Sequence, residues 1–354
     1  MGKLFVSVLI DTYNHEAFIE QAIRSVLDQD FPAEQREIIV VDDGSTDRTP
    51  DLVRQFEPQV RLIRKPNGGQ ASAFNAGIPE CKGEIIAFLD GDDWWDPRKL
   101  SLVAAAFEAH PELGIVGHGI IIFHRDGREQ TETLREGFRF QANTMEGALL
   151  FRRRGAFLGT SRMAIRSELL RRIGSVPEEI EIQADEYLFT LASFLMEARI
   201  LPEPLTYYRL HEANRFQLAG FDLHKLRHKQ RSLAVLAGSL SRQLENRGAS
   251  PQLCRAVVEY TRACADQLRL MIDGGWPWET TGVEWKLYGI IHPEAPYSHR
   301  LFKLLILLGA LVTPPKCFYG AQRILSQSGF YRRVRARCLP VPEMQNLERN
   351  WRVK

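Results

Sequence analysis

The chain has 354 residues, 44% hydrophobic and 25% charged, with a net charge of +2. These are ordinary values for a globular protein, so disordered and fibrous classes are set aside, and the length allows one large domain plus an appendage. Five cysteines (Cys81, Cys254, Cys264, Cys317 and Cys338) show no C-x-x-C spacing, which argues against a disulfide framework or a zinc site and for a reducing, cytoplasmic compartment.

Leu4 to Ile10 is an apolar run rich in β-formers, and it ends in Asp11-Thr12-Tyr13-Asn14. It begins too early in the chain to leave room for a signal peptide. Ala17, Phe18, Ala22, Ile23, Val26 and Leu27 then recur at helical spacing, with Pro32 just beyond. A second strand, Glu37 to Val41, runs into Asp42-Asp43-Gly44-Ser45-Thr46-Asp47. A helix from Thr49 to Phe56, a short strand from Val60 to Arg64, the loop Asn67-Gly68-Gly69-Gln70 and a helix opening at Ala71 follow. The strand Ile85 to Leu89 ends in Asp90-Gly91-Asp92-Asp93-Trp94-Trp95. Strands alternating with helices predict an α/β fold with a mostly parallel sheet. Its carboxyl edge is where ligands bind, and here it gathers carboxylates from three strands. A lone D-G-D-D reads as a solvated turn. Repeated at strand ends, such carboxylates suit Mg²⁺ or Mn²⁺ holding a phosphorylated ligand.

The segments V-S-V-L-I-D-T-Y-N, I-I-V-V-D-D-G-S-T-D, N-G-G-Q-A-S-A-F-N-A-G and I-I-A-F-L-D-G-D-D, in that order, resemble glycosyltransferase family 2. The resemblance is strong over residues 3 to about 100 and looser to about 215. It implies a GT-A catalytic domain, a nucleotide-sugar donor, a divalent cation and inverting transfer to a hydroxyl, as in hexosyltransferases. By that likeness Asp11, Thr12 and Tyr13 meet the nucleotide, Asp43 the base (typically uracil), and Asp90 the ribose. Asp92 stands at the metal ligand of the D-x-D motif. Asn75 matches the Asn of an A-R-N segment, although Phe74 replaces the usual Arg.

Gln183-Ala184-Asp185-Glu186-Tyr187-Leu188 lines up with the family's E-D-x-x-L, which puts Asp185 at the general base with Glu186 as second choice. The plainer reading makes Asp185 the N-cap of a helix from Glu186 to Glu197. Tyr208-Arg209-Leu210-His211 resembles the Y-R-x-H that often closes the catalytic domain, with Arg209 on the diphosphate and His211 joining the metal. Arg209 and His211 share a strand face if the strand continues through both.

The expected domains are 1–218, catalytic (1–100 for nucleotide and metal, 101–218 for acceptor), 219–300, helical, and 301–354, an apolar helix with a basic tail. Residues 222–246 read as a helix, and Ser250-Pro251 opens another that Gly274-Gly275 ends. Leu304 to Pro315 carries no charge, yet is too short for the ~20 residues a membrane span needs. Residues 316–354 hold nine basic and two acidic residues, net +7, with aromatics interleaved. A buried helix competes here with an interfacial segment on an anionic membrane surface. The second reading implies a lipid-linked glycan acceptor and a peripheral place on the inner membrane face. Nucleic acid is not expected, since no recognisable module accompanies the tail. A sugar-nucleotide pyrophosphorylase and a non-catalytic scaffold of the same fold are the alternatives. The first lacks its Gly-rich triphosphate loop here, and the second is disfavoured by the retained Asp90, Asp92 and Asp185.

Overall fold

The computed structural model describes residues 4–124, 126–132, 136–154, 158–211, 222–292 and 295–327. The basic tail beyond 327 therefore lies outside the described residues. The chain divides into two compact units, Met1–His211 with Gly238–Val257 and Glu212–Ala237 with Val258–Lys354.

The first unit is built on strands β1 (Val6–Thr12), β2 (Arg36–Asp42), β3 (Arg61–Arg64), β4 (Ile85–Asp90), β5 (Trp94–Trp95), β6 (Leu113–Phe123), β7 (Glu129–Glu132), β8 (Phe138–Phe140), β9 (Met163–Arg166) and β10 (Glu197–Arg209). Among the described residues they form one mixed sheet in the order β3-β2-β1-β4-β9-β6-β10-β5, with β7 on β6 and β8 on β10. The run β3-β2-β1-β4 is parallel throughout. Its helices are α1 (Ile19–Leu27), α2 (Thr49–Arg54), α3 (Gly69–Gly77), α4 (Lys99–Ala109), α5 (Met145–Arg154), α6 (Ser167–Ile173) and α7 (Ala184–Leu195). β1 and β4 are buried along nearly their whole length, as parallel strands covered on both faces must be. Val8, Ile10, Ile23, Val40, Leu89 and Phe107 belong to the core on which they rest.

Two departures from the parallel pattern build the ligand edge. β9 runs antiparallel between β4 and β6. Because it is antiparallel, the residues before its start lie beside the end of β4. After Asp90 the chain turns, and β5 pairs with β10, setting Trp95 against Thr206 and Trp94 against Tyr207. That pairing folds the acidic turn back onto the end of β10. Two of the three register slips in β10 fall between Leu201 and Thr206, where Pro202 and Pro204 remove ladder donors; the third is at Glu197/Ala198.

The second unit is helical. Helices α8 (Leu223–Asn246) and α9 (Pro251–Ile272) each have residues in both units, and α10 (Pro277–Ile291), α11 (Tyr297–Ala310) and α12 (Pro315–Gln327) belong to the second. Leu270, Leu307, Ala310, Phe318 and Tyr319 form its core. The uncharged run Leu304–Pro315, read above as one apolar helix, is instead the second half of α11, a turn and the first residue of α12.

Candidate active site

The register of β1 and β4 sets Asp11 directly beside Asp90. The turn after β4 adds Asp92 and Asp93, and one oxygen from each of Asp90, Asp92 and Asp93 lies within 4.8 Å of the others. Asp185 on α7 completes the group. It feels the same field, since it helps raise the pKa values of Asp11 and Asp90.

Each carboxylate is held differently. Asp92 accepts from His211 Nε2 at 2.8 Å, and His15 Nε2 lies 3.9 Å from the same oxygen. His15 in turn meets Thr12 Oγ1 at 3.2 Å. Burial alone would raise the Asp92 pKa, but the two imidazoles outweigh it and hold Asp92 below the usual carboxylate range. Asp93 is 1% exposed and accepts from Ser161 Oγ at 2.6 Å and from the Arg209 backbone N–H at 3.0 Å. Burial and the Asp92 charge push its pKa well up. Asp90 is raised the same way, by burial and then by Asp11. Asp11, raised by burial and by Asp92 to about 8, has a buried Oδ1 with no hydrogen-bond partner. Crowded carboxylates, Asp93 buried and the others half-buried, with an orphaned buried oxygen on Asp11, fit a small, hard cation with oxygen ligands. Asp90, Asp92 and Asp93, with His211, are the groups placed to hold one.

Ser161 organises this acidic floor. Its hydroxyl accepts from the Asp90 N–H at 3.0 Å and donates to Asp93. Its carbonyl accepts from Lys99 Nζ (2.7 Å), Trp95 Nε1 (3.0 Å) and Thr206 Oγ1 (2.6 Å). Lys99 is fully buried, with Nζ 3.4 Å from the Trp95 ring centroid, and burial pushes its pKa well below the usual lysine range despite the nearby Asp93.

Asp185 accepts from the Thr160 N–H at 3.1 Å through Oδ2 and from the Glu186 N–H at 2.8 Å through Oδ1. Burial raises its pKa, and these backbone donors partly offset the rise. The helix-cap reading of Asp185 is corrected: α7 starts at Ala184, its N-cap is Gln183, and Asp185 lies inside the first turn. Gln183 is a non-glycine residue at φ 63°, a conformation that costs about 1–3 kcal/mol and occurs at the edge of the site. Glu186 is buried in the same turn.

The remaining expected residues divide. Asp43 is buried, and its carboxylate takes Lys65 Nζ at 2.7 Å and the Gly68 and Gly69 N–H groups at 3.0 and 2.7 Å, anchoring the 65–69 loop. Gly44 permits the turn after it: at φ 78° a side chain there would lie 2.7 Å from Asn67 N. Tyr13 is half-buried at the end of β1. Arg209 sends Nε to the Asp92 carbonyl (3.0 Å) and Nη2 to Gln21 (2.5 Å), and its guanidinium lies 4.4 Å from the Trp94 ring and 4.9 Å from Phe18. It therefore clamps the acidic turn. β10 ends at Arg209, so the shared strand face expected for Arg209 and His211 does not exist; the two reach Asp92 from the strand end and the residues after it. Asn75 is not brought to the aspartates: both ends of its amide bond the Val176 backbone at 2.8 Å.

Sequence reading missed His15, Gln70, Asp93, Thr160 and Ser161. Gln70 Nε2 donates to Thr160 Oγ1 (2.9 Å) and Asp90 (3.3 Å), while its Oε1 accepts from the Ala184 N–H (3.2 Å), joining β4 to α7. Gln70 and Asp93 stood inside quoted motifs, so a signal existed for them.

The mixed α/β sheet with an acidic turn at its edge has the GT-A-like layout expected from the sequence, and comparison with known proteins agrees. The Glycosyl transferase family 2 model matches residues 7–174. A glycosyltransferase of Nostoc sp. is 35% identical over 222 residues, 61% of this chain and 67% of that protein. The chain belongs to glycosyltransferase family 2 and is a transferase. Poly(ribitol-phosphate) beta-N-acetylglucosaminyltransferase TarS of Staphylococcus aureus is 29% identical over 210 residues, 57% of this chain but only 35% of TarS. The structure of S. aureus TarS 1-349 with UDP-GlcNAc superposes with a TM-score of 0.53 at 18% identity, covering 84% of this chain and 92% of that one. The mannosyltransferase PcManGT of Pyrobaculum calidifontis, solved with GDP-Man and Mn²⁺, gives 0.53 at 19% identity over 94% and 84%. These likenesses establish the fold. No helix among the described residues is long and apolar enough to cross a membrane.

Proposed function

We propose that this protein is a metal-dependent, inverting glycosyltransferase that moves a sugar from a nucleotide donor, UDP-linked by preference, to a carbohydrate hydroxyl. The observation that carries the reading is the convergence of Asp90, Asp92 and Asp93 within 4.8 Å at the sheet edge, with Asp185 coupled to them from α7. Asp92 and His211, with Asp90 beside them, are assigned to a divalent cation, Mg²⁺ or Mn²⁺. That cation would neutralise the charge gathering on the leaving nucleoside diphosphate. Asp11, Thr12 and Tyr13 line the nucleotide, and Asp43, with the loop it anchors, is assigned to the base. Asp185 takes the acceptor proton. Burial raises its affinity for a proton, the direction that suits a general base, and such a base contributes about 10²–10⁴-fold. Arg209 supports the diphosphate through the turn it clamps. Asn75 is given no donor contact, since its amide is taken up by the Val176 backbone. A single base opposite the leaving group supports inversion.

The test is a donor panel of UDP- and GDP-sugars with Mn²⁺, Mg²⁺ or EDTA, read as nucleoside diphosphate released and sugar transferred to glycan acceptors. Metal-dependent release from a UDP-sugar supports the reading. Pyrophosphate release from a nucleoside triphosphate and sugar phosphate would favour the nucleotidyl-transfer alternative. A lipid-linked acceptor needs a chain that reaches a membrane, and the C-terminal helices bear on that.

A further inference from the structure

Helix α11 is amphipathic the wrong way round for a protein in water. Its inward face carries His299 and Lys303 beside Leu307 and Ala310. His299 Nδ1 lies 2.8 Å from the Tyr288 hydroxyl, and Lys303 Nζ donates to Glu284 at 2.8 Å in a buried ion pair. Its outward face is leucine. Leu301 (60% exposed), Leu304, Leu305, Leu308 (59%), Leu311 and Val312 (82%) lie on it or in the turn that continues it. At 100° per residue they fall within an arc of about 120°, with the exposed Tyr297 at its start. Isolated exposed leucines are ordinary; a contiguous stripe with a charged residue buried behind it marks a docking face.

Charge decides what covers it. Residues 297–327 contain Arg300, Lys303, Lys316 and Arg323 and no acidic residue. The sequence after them continues basic, so that 316–354 is net +7 in a chain whose total is +2. A second copy of the chain would bring two segments of the same positive sign together, since 297–327 holds bases and no acid. An anionic bilayer accepts both features: leucines enter the acyl boundary, and bases stay at the headgroups.

We propose that the outward face of α11 docks flat on an anionic lipid surface, with Leu301, Leu304, Leu305 and Leu308 inserted and Arg300 and Lys316 at the headgroups. This stands apart from the catalytic reading and is measured without donor or metal.

The full chain is sedimented with vesicles of phosphatidylcholine alone or mixed with phosphatidylglycerol. Binding to the mixed vesicles is expected, with a weaker, leucine-dependent part surviving about 0.5 M salt, where surface charge is screened. Leu305→Glu/Leu308→Glu should lower the partition coefficient at least tenfold with an unchanged melting midpoint, since both side chains are already in water. Leu305→Ala/Leu308→Ala, which keeps helix propensity, should give an intermediate loss. Arg300→Glu/Lys316→Glu should reduce the preference for anionic vesicles severalfold. Equal binding by wild type and both leucine pairs, or no wild-type binding, would overturn the proposal. So would a dimer that either leucine pair dissociates, since a second copy would then own the face.

Discussion

Asp11 should destabilise the metal-free fold, and Asp11→Asn should relieve it in a pH-dependent way. Burial and the neighbouring Asp92 raise its pKa from 3.8 to about 8. A carboxyl raised on folding binds its proton more tightly in the folded chain, so stability falls as pH rises from about 4 and levels off above about 8. Each unit is worth about 1.4 kcal/mol, which amounts to about 4 kcal/mol at pH 7. Asparagine has nearly the same shape and does not ionise in the unfolded state. The variant should therefore exceed the wild type by an amount that widens with pH, by about 3 kcal/mol between pH 5 and pH 7. At about 2 °C per kcal/mol for a cooperative unit the size of the first, the gap in melting midpoint should grow by roughly 6 °C. Calorimetry of both proteins in EDTA at pH 5, 6 and 7 measures it. A gap that stays constant with pH, or a variant less stable at pH 7, would refute the crowding of carboxylates from which the number comes.

The other expectations concern chemistry and its support. Asp185→Asn should cut transfer about 10²–10⁴-fold with donor affinity kept, as titration calorimetry with the donor would show; activity lost instead in Glu186→Gln would move the base by one position. Asp92→Asn should weaken Mn²⁺-dependent binding of the nucleoside diphosphate at least tenfold while leaving metal-free binding unchanged, and equal binding in both would remove the cation from Asp92. Ser161→Ala strips a hydroxyl from between the Asp90 N–H and the Asp93 carboxylate, so about 1–3 kcal/mol of stability should go with it in denaturant titration. Ser161→Thr, which keeps the hydroxyl, should recover most of that loss.

Much of the ligand edge was legible because the signals are local. The apolar runs ending at Asp11, Asp42 and Asp90 stand in the chain as they stand in the sheet, since strand period and turn chemistry are properties of neighbouring residues. Asp11, Asp90, Asp92 and His211 could therefore be named from motifs, and the structure brings them together. Ser161, Gln70 and His15 could not be given their places, because the site groups they meet lie 20 to 114 residues away and only the tertiary fold sets them side by side. Ser161 reaches Asp90 because β9 enters the sheet antiparallel to β4, a choice that no local pattern around residue 161 encodes. Asn75 shows the opposite failure: its motif is intact, but tertiary contact with Val176 uses the amide. In the second unit the sequence determined that 304–315 is apolar and uncharged. Which side of the helix meets water is visible only in the structure, where Lys303 is buried against Glu284, an ion pair across 19 residues, and the leucines lie outward. Hydropathy reports how apolar a segment is; only packing against the rest of the chain decides which way its apolar face points.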